Sequence, residues 1–140
     1  MAAPRLGEVI PFWYLWWREF ERGEDAGRKL RPCVVVAVDA AIPDKPLLAL
    51  LPLTHAPPDG RRTAVEIPAK VKAHLGLDSE RSWVVCDEQN EFHWPGYDLG
   101  RTPDGRSTYG GVPDKLLGLI VRAHREARLR GALRSASRDD

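Results

Sequence analysis

An arginine, a proline and two acidic residues stand just before an apolar β-branched run, and this arrangement could bind an anion. Arg31 precedes Pro32 and the apolar residues 34–38, and the loop before it carries Glu24 and Asp25. Arginine binds phosphate through two parallel hydrogen bonds, and a following proline holds its backbone extended. Residues 34–38 have the composition of a buried strand, which would give the loop a rigid anchor. The segment therefore predicts a charged loop suited to chemistry on a phosphate.

A threonine and a histidine follow the next apolar run. Residues 47–53 are predicted as a strand, and Thr54 and His55 come directly after it. If this strand pairs antiparallel with the strand that begins near Arg31, both strand ends emerge on the same side. A guanidinium, a hydroxyl, and a carboxylate or imidazole are enough to cleave RNA without metal. They can deprotonate the 2′-hydroxyl, stabilise charge on phosphorus and protonate the leaving 5′-oxygen.

Short strands with turn signals between them and one long helix near the end predict a mainly β fold, a small and mostly antiparallel barrel. The predicted strands cover residues 7–17, 33–38, 47–53, 63–67 and 81–86, and the predicted helices cover residues 68–77 and 113–133. We expect residues 1–134 to form one domain and residues 135–140 to be a frayed tail. Residues 87–98 are expected to be a polar and aromatic continuation, and residues 18–32 and 100–111 to be loops.

Composition limits the class of protein. The chain has 140 residues, of which 43% are hydrophobic and 29% charged, as expected of one globular domain. No apolar run is long enough to span a membrane, and the first six residues lack a signal-peptide pattern, so we expect a cytoplasmic protein. Cys33 and Cys86 lie in apolar runs and are predicted to be buried thiols. The cysteines and histidines lack metal-ligand spacing, so neither a metal nor another cofactor is predicted.

Basic residues occur in local groups although the net charge is only +1. Arg28 and Lys29 form one group with Arg31, and Arg61 with Arg62 forms another. Such patches can bind a short single strand without making the whole surface basic. Six further arginines lie in residues 122–138, where we favour a solvated surface. The aromatic residues 12–17 could stack bases, but core and subunit interface are the favoured interpretation.

Several segments together resemble the PemK/MazF family of toxin endoribonucleases. They are residues 7–10 (Gly-Glu-Val-Ile), 23–27 (Gly-Glu-Asp-Ala-Gly), 31–36 (Arg-Pro-Cys-Val-Val-Val), 51–54 (Leu-Pro-Leu-Thr) and 82–89, which end in Asp-Glu-Gln. The resemblance spans residues 7–125. It implies an SH3-like β-barrel with a C-terminal helix that forms a homodimer. It also implies metal-independent, sequence-specific cleavage of single-stranded RNA to a 2′,3′-cyclic phosphate, and a cognate antitoxin that blocks the RNA groove.

The same resemblance implies roles for individual residues. Arg31 matches the catalytic arginine as charge stabiliser and acid, Thr54 matches the threonine that orients the phosphate, and Glu24 or Asp25 matches the loop carboxylate used as base. Many relatives carry a basic residue after the Asp-Glu-Gln segment, which this chain lacks. His55 and His93 are candidate substitutes, with His55 favoured because it adjoins Thr54. The residues expected to contact RNA are Arg28, Lys29, Arg61, Arg62, Asn90 and His93.

Two other functions stay open. Relatives that poison gyrase share this barrel but lack the arginine and threonine pair as a nuclease site. A catalytically weakened barrel could instead bind only RNA or a protein partner. The presence of both Arg31 and Thr54 favours the nuclease.

Overall fold

A curled, mostly antiparallel sheet forms the body of the protein in the computed structural model, which describes residues 2–139. The strands are β1 (Glu8–Trp13), β2 (Leu30–Asp39), β3 (Leu47–Thr54), β4 (Ala64–Glu66), β5 (Trp83–Val85), β6 (Glu88–His93), β7 (Gly110–Gly111) and β8 (Arg134–Ser137). The helices are α1 (Trp17–Glu21), α2 (Ala69–Leu75) and α3 (Asp114–Leu129). The predicted class, a small antiparallel β-barrel of the SH3-like kind with a helix near its C-terminus, is confirmed, with the sheet curled into half a barrel.

The antiparallel pair β2 and β3 is the centre of the sheet. The strand order is β4-β5-β3-β2-β1-β7, and β6 joins β3 and carries β8 beside it in parallel. Consecutive residues of β2 and β3 enter two different hydrophobic clusters, with Val34 and Leu51 in one and Cys33 and Leu50 in the other. Both strands are therefore buried on both faces, which explains why they read as continuous apolar runs. Burial stops before Val38, whose side chain is exposed.

Both cysteines are buried and free, as predicted. Cys33 is fully enclosed beside Phe92 and Tyr14 in one cluster, and Cys86 lies in the other cluster. Burial raises the pKa of the Cys86 thiol to about 12, so the thiol stays protonated at neutral pH. None of the helices formed between residues 2 and 139 is both long and apolar enough to cross a bilayer.

The first strand is shorter than the sequence predicts. The aromatic run 7–17 favours one long strand, but β1 ends at Trp13 and the chain turns into α1 at Trp17. The Glu19 carboxylate stabilises this turn, because it accepts a hydrogen bond from the backbone N–H of Trp16 at 3.2 Å and so satisfies one of the free donors at the helix start. Glu19 is itself almost fully buried. The residues at the start of the predicted loop are therefore held on a short helix.

Sequence patterns also missed three strands. β6 lies in the stretch expected to be an irregular continuation, and β7 lies in the expected loop 100–111. The apolar alternation of a strand is absent from β6 because three of its four buried positions, Glu88, Gln89 and Asn90, are polar. Asn90, for example, accepts a hydrogen bond from Leu15 N at 2.9 Å and donates one to Leu15 O at 2.8 Å. A buried amide with both partners satisfied replaces an apolar side chain there.

The predicted frayed tail 135–140 is wrong over its first half, because β8 pairs with β6. Arg138 then fixes the end of the chain. Its guanidinium is almost completely buried, donates to Trp13 O at 2.7 Å and to Asn90 Oδ1 at 3.1 Å, and lies 3.1 Å from an Asp98 carboxylate oxygen. It also sits over the Phe12 ring. The last strand is thus attached to β1, to β6 and to the loop after β6.

Replacing Arg138 by alanine should therefore lower the free energy of unfolding by about 3 kcal/mol, because Trp13 O and Asp98 lose a buried charged donor. Urea denaturation measures this loss. Arg125→Ala is the matched control, since Arg125 is exposed on α3 and its loss should change stability by no more than about 0.5 kcal/mol. Equal stability of the two variants would contradict this attachment and support a frayed C-terminal tail.

Candidate active site

A cleft of about 310 Å³, which we call the β2–β3 cleft, opens where β2 begins and β3 ends. Arg31, Thr54 and His55 all line it. Their proximity follows from strand pairing, because β2 and β3 run antiparallel with Cys33 opposite Pro52. Continuing that register by two residues places Arg31 level with Thr54. Arg31, Thr54 and His55 therefore lie together at one end of the barrel, as the strand ends predict.

Arg31 is held at the edge of this cleft by an aromatic ring. Its guanidinium carbon lies 5.1 Å from the centre of the Trp16 ring, a cation–π contact. Burial lowers the pKa of Arg31, and the neighbouring Arg18 cation lowers it further. Within residues 2–139, no carboxylate forms a salt bridge with Arg31. The guanidinium is therefore oriented without being ion-paired, which suits it to bind a phosphate.

His55 lies between two carboxylates. Its Nε2 is 2.8 Å from Asp78 Oδ2, and its Nδ1 is 3.6 Å from a Glu80 carboxylate oxygen. A carboxylate beside a histidine orients the imidazole and stabilises the imidazolium that forms when it takes a proton. Asp78 was not among the residues predicted from sequence. It lies in the connection from α2 to β5, and no spacing signal links it to a histidine so far away in the chain.

Lys72 holds the Asp78 carboxylate in place by a hydrogen bond. Its ammonium group is almost fully buried and donates to Asp78 Oδ1 at 2.7 Å, to Ser82 Oγ at 2.7 Å and to the Glu80 carbonyl. The hydrogen bond from Lys72 is the largest cause of a lowered pKa at Asp78, and His55 adds to it. Asp78 is therefore ionised and lies between Lys72 and His55. Through Lys72, the loop that carries Asp78 is attached to α2 at the wall of the cleft.

The same group has the donor atoms for a metal ion. Ligand atoms of His55, Asp78 and Glu80 lie within 4.8 Å of one another, and all three residues are exposed. However, the Lys72 ammonium already neutralises Asp78 at 2.7 Å, and a cation placed there would be repelled by it. We therefore describe the group as an ion-pair network and assign no metal to it.

The predicted loop carboxylates do not line the cleft. Glu24 is bound by Arg28, whose Nε and Nη2 donate to its two oxygens at 3.0 Å and 2.8 Å. Arg28 also lies 3.1 Å from Glu19. Asp25 is exposed, and its contact with the rest of the fold is a backbone carbonyl that accepts a hydrogen bond from Arg138. Glu24 and Arg28 therefore neutralise each other on the loop.

Some of the predicted RNA contacts are free to bind a ligand, and others are occupied by structural partners. Lys29 is exposed and lines the β2–β3 cleft, whereas Arg61 is exposed but lies outside the cleft lining. Arg62 is occupied by structural partners, since it donates to Asp87 at 2.8 Å and to Glu88 at 3.0 Å. Lys29 therefore stays a prediction as an RNA contact, whereas the assignment of Arg62 is corrected to a structural role.

Asn90 and His93 are also corrected. The Asn90 side chain is completely buried against Leu15 and cannot reach a ligand. His93 pairs with Asp139 at 2.6 Å and lies opposite Leu47 in the sheet. Thr54 is at the other end of β3, which at the usual rise per residue is about 23 Å away. Of the two histidines considered from sequence, only His55 reaches the cleft.

Comparison with known proteins gives one family. The sequence model of that family, described as the PemK-like, MazF-like toxin of type II toxin–antitoxin systems, matches residues 12–93. The matched segment contains Arg31, Thr54, His55 and Asp78 and ends before α3. None of the curated proteins matches the chain.

Replacing Lys72 by methionine should raise the pKa of the Asp78 carboxyl toward its ordinary value of 3.8, because the cation that stabilises the carboxylate is gone. A carboxyl whose pKa falls on folding stabilises the fold at neutral pH and loses that contribution as pH falls through its folded pKa. The variant should therefore be less stable at pH 7 and lose less stability below pH 3.8 than the wild type. Carbon-detected NMR titration gives the pKa directly.

The matched control is Lys70→Met, since Lys70 is exposed on the same helix. It should leave the Asp78 titration unchanged. An unchanged Asp78 pKa in Lys72→Met itself would contradict the ion-pair network.

Proposed function

The chain belongs to the PemK-like, MazF-like family of type II toxins, whose match covers more than half of its 140 residues, and from the site we propose that it cuts RNA. The proposed reaction is metal-independent, sequence-specific cleavage of single-stranded RNA, as an mRNA interferase. The carrying observation is the convergence of Arg31, Thr54 and His55 in the β2–β3 cleft. These three groups supply a phosphate-binding cation, a hydroxyl donor and a base.

In this proposal His55 removes the proton from the 2′-hydroxyl of the RNA. The freed 2′-oxygen attacks the adjacent phosphorus, and the bond from phosphorus to the 5′-oxygen breaks. The products are a 2′,3′-cyclic phosphate and a 5′-hydroxyl. Asp78, 2.8 Å from the imidazole, stabilises the imidazolium formed in the first step. The His55 side chain is roughly half exposed, so substrate can reach it.

Arg31 and Thr54 act on the phosphate. The Arg31 cation stabilises the extra negative charge that develops on the phosphoryl oxygens. Its lowered pKa eases proton release, so we assign to it the protonation of the leaving 5′-oxygen. The Thr54 hydroxyl oxygen accepts the Ala56 N–H at 3.1 Å, which leaves the hydroxyl proton to donate to a phosphate oxygen. This contact orients the phosphate for attack.

The protein's partners follow from its family. A type II toxin is paired with an antitoxin, and we propose that this antitoxin blocks the cleft with an acidic segment. The basic lining of the cleft, which includes Lys29 and Arg31, supports an acidic inhibitor. We also propose that the toxin is a homodimer in the cytoplasm.

The nuclease proposal predicts discrete cuts in a long single-stranded RNA incubated with the protein in EDTA, each ending in a 2′,3′-cyclic phosphate. Arg31→Ala should lower the cleavage rate by about 10²-fold or more, because the charge on phosphorus loses its stabilising cation. Arg125→Ala, which removes an exposed arginine from α3, should cleave at the wild-type rate. Circular dichroism checks that both variants are folded.

Equal cleavage by Arg31→Ala and the wild type would contradict the site. The absence of any cleavage, combined with growth arrest on expression, would instead support a toxin of the gyrase-poison type. Binding of RNA without cleavage or arrest would support a weakened barrel.

A second pair of variants separates His55 from the loop carboxylate Glu24 as the base. His55→Ala should lower kcat by about 10²-fold to 10⁴-fold, since its imidazole lines the cleft. Glu24→Gln should change kcat much less, because Arg28 already holds the Glu24 carboxylate outside the cleft lining. Single-turnover cleavage at saturating enzyme measures both. A larger loss of kcat in Glu24→Gln than in His55→Ala would indicate that Glu24, and not His55, is the base.

A further inference from the structure

We propose that Arg18 binds a second phosphate of the RNA, adjacent to the phosphate held by Arg31, and that the Trp16 indole positions both guanidinium groups. This inference rests on the proposed function, because it extends the RNA-binding surface beyond the β2–β3 cleft. Arg18 was not among the residues predicted from sequence, where it fell in an expected loop.

The geometry places both cations on one ring. The guanidinium carbon of Arg18 lies 5.2 Å from the centre of the Trp16 ring, and that of Arg31 lies 5.1 Å from the same centre. The two guanidinium carbons are consequently no more than about 10 Å apart, which is within reach of neighbouring phosphates on one strand. Trp16 is buried and is contacted edge-on by Tyr14 at 5.3 Å, so the ring itself is fixed.

Neither cation at this ring, Arg18 or Arg31, forms an ion pair in the part of the chain that the structure describes, although the Glu19 carboxylate lies near enough to raise the pKa of Arg31. Arg28, which follows on the same connection, is by contrast held by Glu24 and Glu19. Burial is the largest cause of the lowered pKa of Arg31, and the Arg18 cation adds to it, so the two cations repel each other. An anion bound between or across them would remove this repulsion.

The support for Arg18 is rigid. It stands on α1, whose first backbone N–H, at Trp17, donates to Glu88 Oε2 at 2.8 Å. Glu88 is buried and is held in turn by Arg62 at 3.0 Å. The Glu19 carboxylate closes the helix start through Trp16 N. A cation on such a support loses little conformational freedom when it binds a ligand, which favours a specific phosphate contact.

Binding without cleavage tests the proposal. The probe is a short, fluorescently labelled, single-stranded oligonucleotide with 2′-fluoro groups, which lacks the attacking hydroxyl. Its Kd is measured by fluorescence anisotropy over a range of salt concentrations. Arg18→Gln should weaken binding by about tenfold at low salt and reduce the slope of log Kd against log salt by about 0.7, the value for one phosphate on a single strand. Arg125→Gln, which removes the same charge from exposed α3, should leave both unchanged.

A matched pair at the ring tests the positioning role. Trp16→Phe retains an aromatic face and should bind nearly as the wild type does. Trp16→Leu should bind more weakly, and its slope of log Kd against log salt should be reduced by the contributions of both Arg18 and Arg31. Identical binding by Arg18→Gln and Arg125→Gln would overturn the second phosphate site, and this comparison does not depend on how Trp16 variants fold. Arg31→Gln distinguishes failure of the second phosphate site from failure of the proposed function. If Arg31→Gln weakens binding and Arg18→Gln does not, only the second phosphate site is contradicted. If neither variant weakens binding, RNA binding in the β2–β3 cleft is contradicted as well.

Discussion

The antiparallel register between β2 and β3 is the constraint on which the site depends. It is set by apolar side chains buried on both faces of the pair, with Val34 and Leu51 on one side and Cys33 and Leu50 on the other. A slip by one residue would exchange the two faces, so the register is strongly specified. Because Arg31 begins one strand and Thr54 ends the other, the same packing that forms the core also brings the chemical groups together.

Buried polar side chains then attach the surrounding segments to this pair. Glu88 accepts from Tyr14 and from Trp17 N, which places α1 against the sheet, and Asn90 holds Leu15. Each of these groups has its partners, and no buried side-chain nitrogen or oxygen in the described chain lacks one. Satisfied polar networks fix a single arrangement, and here they fix the residue, Trp16, that orients Arg31.

The parts of the fold that sequence could predict are those with a local signal. The apolar runs identified β2 and β3, Pro68 and Gly76 bounded α2, and Pro113 marked the start of α3. Polar β6 and the tail strand β8 gave no such signal, since their positions depend on long-range partners such as Asn90 with Leu15. The site shows the same division. Strand ends predicted that Arg31 and Thr54 would meet, whereas the roles proposed for Asp78 and Arg18 rest on contacts that only the folded chain creates.

The most direct test of the central claim is a crystal structure of the protein with an uncleavable 2′-fluoro oligonucleotide. The account predicts a phosphate in contact with both the Arg31 guanidinium and the Thr54 hydroxyl, with the adjacent 2′-position facing His55. An oligonucleotide bound elsewhere, for example along the arginines of α3 with the β2–β3 cleft empty of RNA, would contradict it.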